Sequence, residues 1–165
     1  MALLILDSSV IIAFMTEMDD GEYLKALCSM GFKVTITKGV IEEVKKEPGK
    51  SRLAKAVEEK WIGIQAIPDE EFNFFRKRYP MLDYAEVEVI RKGIELKELG
   101  IEYCCIIDEG AGRKIADNLG LQKMGTEGLL NKMNHLSIID ASIKEKLFKK
   151  LYQSSFRSSN SSVQR

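Results

Sequence analysis

Two apolar runs of this chain end alike. LLIL, residues 3–6, runs directly into Asp7, and CCII, residues 104–107, runs directly into Asp108. A carboxylate at the C-terminal end of a buried strand lies on the ligand-binding edge of an open parallel sheet. If the two strands flank the point where the strand order reverses, both acids aim into one crevice. One such Asp is readily explained as the cap of the helix that follows it. A matched pair tilts the balance toward a site.

Helical spacing sorts the remaining acids. Glu86 has Leu82 four residues before it and Val89 and Ile90 three and four after it. It lies along an apolar stripe, where an unpaired carboxylate is costly. The alternative is an acid at the edge of the stripe that reaches water. Glu88 has Arg91 and Lys92 at the same spacings, which assigns it to a solvated, ion-paired face. In VIEEVKK, Glu42 faces Lys45 and Lys46 in the same way. Glu43 instead stacks with Val40 and Glu47 and has no cation at helical spacing, so Glu43 is the candidate. Glu109 directly follows Asp108 and is either a further site acid or a helix-start acid.

Acids gathered in one crevice repel each other and stay ionised only with a cation among them. An oxygen-only donor set, with no His or Cys, suits Mg²⁺ or Mn²⁺ rather than zinc. The chemistry this supports is metal-assisted phosphoryl hydrolysis. One ion makes a water acidic enough to attack, and a second, ~4 Å away, stabilises the leaving oxygen.

Positioning such acids takes strands that alternate with helices, and the chain carries that pattern. Residues 2–6 (ALLIL), 33–37 (KVTIT), 61–67 (WIGIQAI), 103–107 (YCCII) and 121–124 read as strands. Helical patterns cover 8–15, 19–30 with Gly31 as the stop, 40–46 ended by Pro48-Gly49, and 51–60. They continue in a segment opened by Pro68 and three acids, in 83–99 closed by Gly100, in 110–119, in a helix that Thr126 would cap, and in 138–152. The implied class is α/β, a parallel sheet covered by helices on both faces. One domain is expected over residues 1–153, followed by a Ser-rich, flexible tail over 154–165.

Composition sets the outer bounds. The 165 residues are 45% hydrophobic with 3 Pro, which excludes disordered and fibrous classes. The 25 basic and 25 acidic side chains cancel, which argues against a protein that coats nucleic acid non-specifically but leaves open an enzyme acting on it. No apolar run approaches the ~20 residues of a membrane-spanning helix. The N-terminus MALLILDSSV shows no signal-peptide pattern. Cys28, Cys104 and Cys105 have no metal-ligand spacing, and the adjacent pair would point to opposite faces of a strand. Reduced, mostly buried thiols in a cytoplasmic protein are the expectation.

The set LLILDSS, TKGVIEEV, LDYAEVEVI, CCIIDEGAGRKIADNLGL and GTEGLL, in that order between about residues 3 and 140, resembles a PIN-domain ribonuclease. It is most similar to the toxin-like subclass whose third acid sits in a Gly-Glu or Ala-Glu helix. The resemblance implies a three-layer α/β/α sandwich whose five-stranded parallel sheet has the order 3-2-1-4-5. That order sets the strand ending in Asp7 beside the strand ending in Asp108. It also implies an acid quartet of Asp7, Glu43, Glu86 and Asp108, with metal held by Asp7, Glu86 and Asp108 or Glu109. The family's second Asp after the fourth strand is Glu109 here, so either 108 or 109 could be the working ligand. Ser9 matches the small hydroxyl residue after the first acid. Arg113, in a Gly-Arg pair where the family has Ala-Arg, would contact a phosphate or pair with a site acid. Thr126 would offer its hydroxyl and nearby amides to a phosphate or act as a helix cap. The activity implied is endonucleolytic RNA cleavage leaving a 5′-phosphate, in an RNA-processing enzyme or in a toxin restrained by a small antitoxin protein, with homodimers common.

Two other classes remain as alternatives. One is a PIN-like module without catalysis that binds RNA or protein; four acids at the four positions disfavour it. The other is an aspartyl phosphotransferase using Asp7, disfavoured because Ser8-Ser9 follow where a second acid is expected. The single histidine, His135, has no partner for nucleophilic catalysis. Arg76-Lys77-Arg78 reads as a solvated helix end favourable to the dipole rather than an RNA contact.

Overall fold

The two central strands of this chain, LLIL and YCCI, are nearly all apolar, as strands covered on both faces must be. The computed structural model describes residues 2–18, 21–108 and 110–163, and for 154–163 the backbone alone. The expectation for Glu109 as a ligand therefore falls outside the described residues.

Five strands form one sheet: β1 (Leu3–Leu6), β2 (Lys33–Thr37), β3 (Ile62–Gln65), β4 (Tyr103–Ile106) and β5 (Lys123–Met124). All pairings are parallel and the order is β3-β2-β1-β4-β5, as the resemblance implies. The register sets Leu6 opposite Ile106, so β1 and β4 end side by side. The strand order reverses between these two strands, and their C-terminal ends open the crevice.

Side chains alternate across β1. Leu4 and Leu6 enter one apolar cluster, which includes Phe14, Leu27, Ile36, Leu53 and Leu130. Ile5 enters the other, with Val87, Ile90, Cys105, Ile107 and Leu121. Two cores on opposite faces of one sheet make three layers. The first layer holds α1 (Ser8–Ile12), α2 (Glu22–Ser29), α4 (Gly49–Glu58), α8 (Thr126–His135) and α9 (Ala141–Val163). The second holds α5 (Asp69–Arg78), α6 (Tyr84–Glu98) and α7 (Ala111–Asn118). Between them at the crevice lies α3 (Lys38–Glu43), which packs on α6 and α1. A short π-helical turn, Ala13–Glu17, extends α1. Among the described residues no helix is long and apolar enough to cross a membrane.

Glu88 corrects the expectation of a solvated face. It is 4% exposed, and its Oε1 accepts the Gly39 amide at 2.7 Å. The cations at helical spacing pair elsewhere, Arg91 with Glu71 at 3.0 Å and Lys92 with Glu95 at 2.6 Å. Burial raises the Glu88 carboxyl above its ordinary range, and the Gly39 amide counteracts part of the rise. A Cβ on residue 39 would collide with Glu88 Oε1 and with the Tyr84 ring, so any larger residue there would push both side chains aside.

Candidate metal centre

Asp7 follows β1 directly and stands at the N-cap position of α1. Its amide donates to Ile106 O at 3.0 Å, which locks it to the end of β4. Its side chain makes no capping bond, so the simple helix-cap explanation fails. The residue is 5% exposed, and its Oδ1 is buried without a hydrogen-bond partner among the described residues. A buried carboxylate oxygen left unpaired is costly. Burial pushes the Asp7 carboxyl up to about 8; the Ser8 amide opposes this, and the charges of Asp83, Glu86 and Glu43 add to it.

Glu43 ends α3 and is held at both oxygens. Ser8 Oγ donates to its Oε2 at 2.6 Å, and the Ala85 amide donates to its Oε1 at 3.3 Å. The second contact places Glu43 against the N-terminus of α6, where the helix dipole favours an anion. Ser8, and not Ser9, is the hydroxyl that reaches this acid; Ser9 is exposed.

Asp83 and Glu86 form a reciprocal cap on α6. Glu86 N donates to Asp83 Oδ1 at 2.8 Å, and Asp83 N donates to Glu86 Oε2 at 3.2 Å. The sequence Asp-x-x-Glu ahead of an apolar run is the signature of such a capping box. Burial raises the Glu86 carboxyl, and Asp83 and then Glu43 push it further, against the Asp83 amide. The Glu86 side chain lies against Gly112, where a Cβ would sit 3.0 Å from its Cδ. The glycine of the Gly-Arg pair thus makes room for this acid.

Asp108 turns the other way. Its Oδ1 accepts the Thr126 amide at 2.7 Å and its Oδ2 accepts the Thr126 hydroxyl at 2.8 Å. Thr126 is the first residue of α8, after an N-cap at Gly125, so the expected cap role is reversed: the Asp108 carboxylate caps α8. The Asp108 charge also helps burial to raise the carboxyl of half-buried Glu17, a further acid that helical spacing does not single out. Arg113 donates to Ile107 O at 2.9 Å and so braces the strand end that carries Asp108.

The tightest convergence joins acids from three segments. Asp7, Glu43 and Asp83 each offer a carboxylate oxygen, and these oxygens all lie within 4.8 Å of one another. The donor set is all oxygen, as Mg²⁺ or Mn²⁺ prefers. The three thiols do not compete: all are free, and burial pushes Cys104 up to about 11 and Cys105 up to about 12. His135 is exposed at the end of α8, and Arg76 to Arg78 are exposed at the end of α5.

Residues 3–165 match a family described as PIN domain. No curated protein matches the chain.

Proposed function

The chain belongs to the PIN-domain family, and from that membership we propose that it is a divalent-metal-dependent endoribonuclease. One observation carries the reading. Asp7, with an oxygen that is buried and has no partner among the described residues, sits where the strand order reverses, beside the carboxylates of Glu43 and Asp83, whose mutual repulsion a cation would relieve.

Asp7 and Glu43 would hold the ion, which is proposed as Mg²⁺ or Mn²⁺ and which supplies Lewis-acid activation of water for attack on a phosphodiester. The chain does the positioning. Ser8 and the Ala85 amide fix the two oxygens of Glu43. The strand-end bond of Asp7 to Ile106 fixes the first acid. Glu86 and Asp108, with Glu109 as the alternative to the last, would complete the acid set. Arg113 and Thr126 stand on the Asp108 side, where a substrate phosphate would need a donor. Ser9, exposed beside Asp7, would hold a water at the rim. The three free thiols support a cytoplasmic setting. A homodimer and a small antitoxin partner belong to the same proposal.

The test is the chemistry of the products. Purified protein with Mn²⁺ should cut an end-labelled single-stranded RNA internally, leaving 5′-phosphate and 3′-hydroxyl ends, and EDTA should stop it. Cleavage that persists in EDTA, or that leaves 2′,3′-cyclic phosphates, contradicts the reading. Saturable RNA binding without Mn²⁺ binding or cleavage would favour the non-catalytic module.

A further inference from the structure

We propose that Asp83 is a direct ligand of the divalent ion, and that Glu86 is a positioning residue that holds Asp83 in place. The inference rests on the nuclease reading above and divides the labour within its site.

Of the described acids around the crevice, Asp7, Glu43 and Asp83 are the three whose oxygens converge, all within 4.8 Å of one another. Oxygens around one Mg²⁺ or Mn²⁺, each roughly 2.1 Å from it, fit within that span. Proximity of acids alone says little, because exposed acids cluster in many proteins. The independent observation is Asp7 Oδ1. Asp7 is 5% exposed, its Oδ1 is buried with no hydrogen-bond partner among the described residues, and the residue belongs to this same cluster. Folding leaves an acceptor empty at the place where two other carboxylates arrive.

Asp83 is suited to a double role. Its Oδ1 is committed to the Glu86 amide, while a carboxylate presents a second oxygen. The residue is exposed, so that side of the site opens to solvent and to a substrate. Glu86 is tied back: its Oε2 accepts the Asp83 amide, and its chain rests against Gly112. The capping box therefore orients the ligand, much as outer-shell partners orient the ligands of other metal sites. Asp108, with both oxygens on Thr126, lies outside the converging triad.

The experiment measures Mn²⁺ affinity without RNA, by calorimetry or by the electron paramagnetic resonance signal of free Mn²⁺. It compares wild type with Asp83→Asn, Asp83→Ser and Glu86→Gln. Asn and Ser cap helices about as well as Asp, and Gln serves in a capping box, so α6 should persist, as circular dichroism would verify. Both Asp83 variants should bind Mn²⁺ at least about tenfold more weakly than wild type, and Glu86→Gln, which keeps the acceptor for the Asp83 amide, should lose less than either. Wild-type affinity in either Asp83 variant, or a greater loss in Glu86→Gln than in both, overturns the assignment while leaving the nuclease reading intact. No saturable binding by wild type up to about 10 mM, well above the range of weak oxygen sites, overturns both.

Discussion

The amide of Gly39 donates to the buried Oε1 of Glu88 at 2.7 Å, across 49 residues of sequence. This bond ties the start of α3 to the second turn of α6. The former helix carries Glu43 at its far end, and the latter begins at Asp83 and Glu86. The buried carboxylate also lies at a helix N-terminus, where the dipole favours it. Gly39→Ala would drive a methyl into Glu88 Oε1 and the Tyr84 ring. Overpacking of this kind costs about 1–3 kcal/mol, at roughly 2–4 °C of melting temperature per kcal/mol. A thermal melt equal to that of wild type would contradict this placement of Glu88.

Asp7 makes the metal-free protein sensitive to pH. An unfolded Asp titrates near 3.9, roughly, whereas burial first and the neighbouring acids next push the folded group up to about 8. Between those values the folded state binds the extra proton, so stability falls as pH rises from about 4 to about 8 and levels off above. The stabilising contribution is complete below the unfolded value and is lost through the folded one. Asp7→Asn removes this slope, and the variant should be more stable than wild type at pH 8 in EDTA. Added Mn²⁺ should raise the melting temperature of wild type and not of the variant. Melts across pH 5–9 with and without the ion read all three effects; a wild-type profile flat across this range in EDTA would count against the buried, unpaired Asp7.

Thr126 offers a narrower test. Its hydroxyl gives Asp108 one of two hydrogen bonds. Thr126→Val keeps the shape and the amide but removes the hydroxyl, and a hydrogen bond to a charged group contributes about 1.5–3 kcal/mol. The urea midpoint should fall accordingly, and Thr126→Ser should recover most of the loss. A loss in Thr126→Ser with none in Thr126→Val would mean that packing of the methyl group, not the bond to Asp108, is what matters at this 2% exposed position.

The sheet was legible because its signal is local. Short apolar runs ending in acids mark buried parallel strands; β1 ends at Leu6 as expected, and β4 ends at Ile106, one residue short of the expected Ile107. The order of the strands came from the resemblance, since no local pattern states which strand neighbours which. The site was legible only in part, for a physical reason. Helical spacing sees neighbours on one helix and assigns Glu88 to solvent on the strength of Arg91 and Lys92; the partner that decides its place is an amide of α3. Asp83 is visible as a helix start, yet its approach to Glu43 and Asp7 depends on packing among three segments. Ser8 and Ser9 are adjacent and alike, and only the fold shows which hydroxyl meets Glu43. Thr126 reads correctly as a helix start, but the direction of its bond to Asp108 is a tertiary fact.

The most direct measurement is the single-turnover rate of Mn²⁺-dependent cleavage of a 5′-labelled single-stranded RNA by wild type and by Asp7→Asn. Asn fits the space but cannot supply the anionic oxygen that the site leaves unpartnered. The account predicts internal cleavage by wild type and a loss of about 10²–10³-fold in the variant, the scale of removing a principal electrostatic contributor to a transition state. Cleavage by Asp7→Asn at the wild-type rate would contradict it.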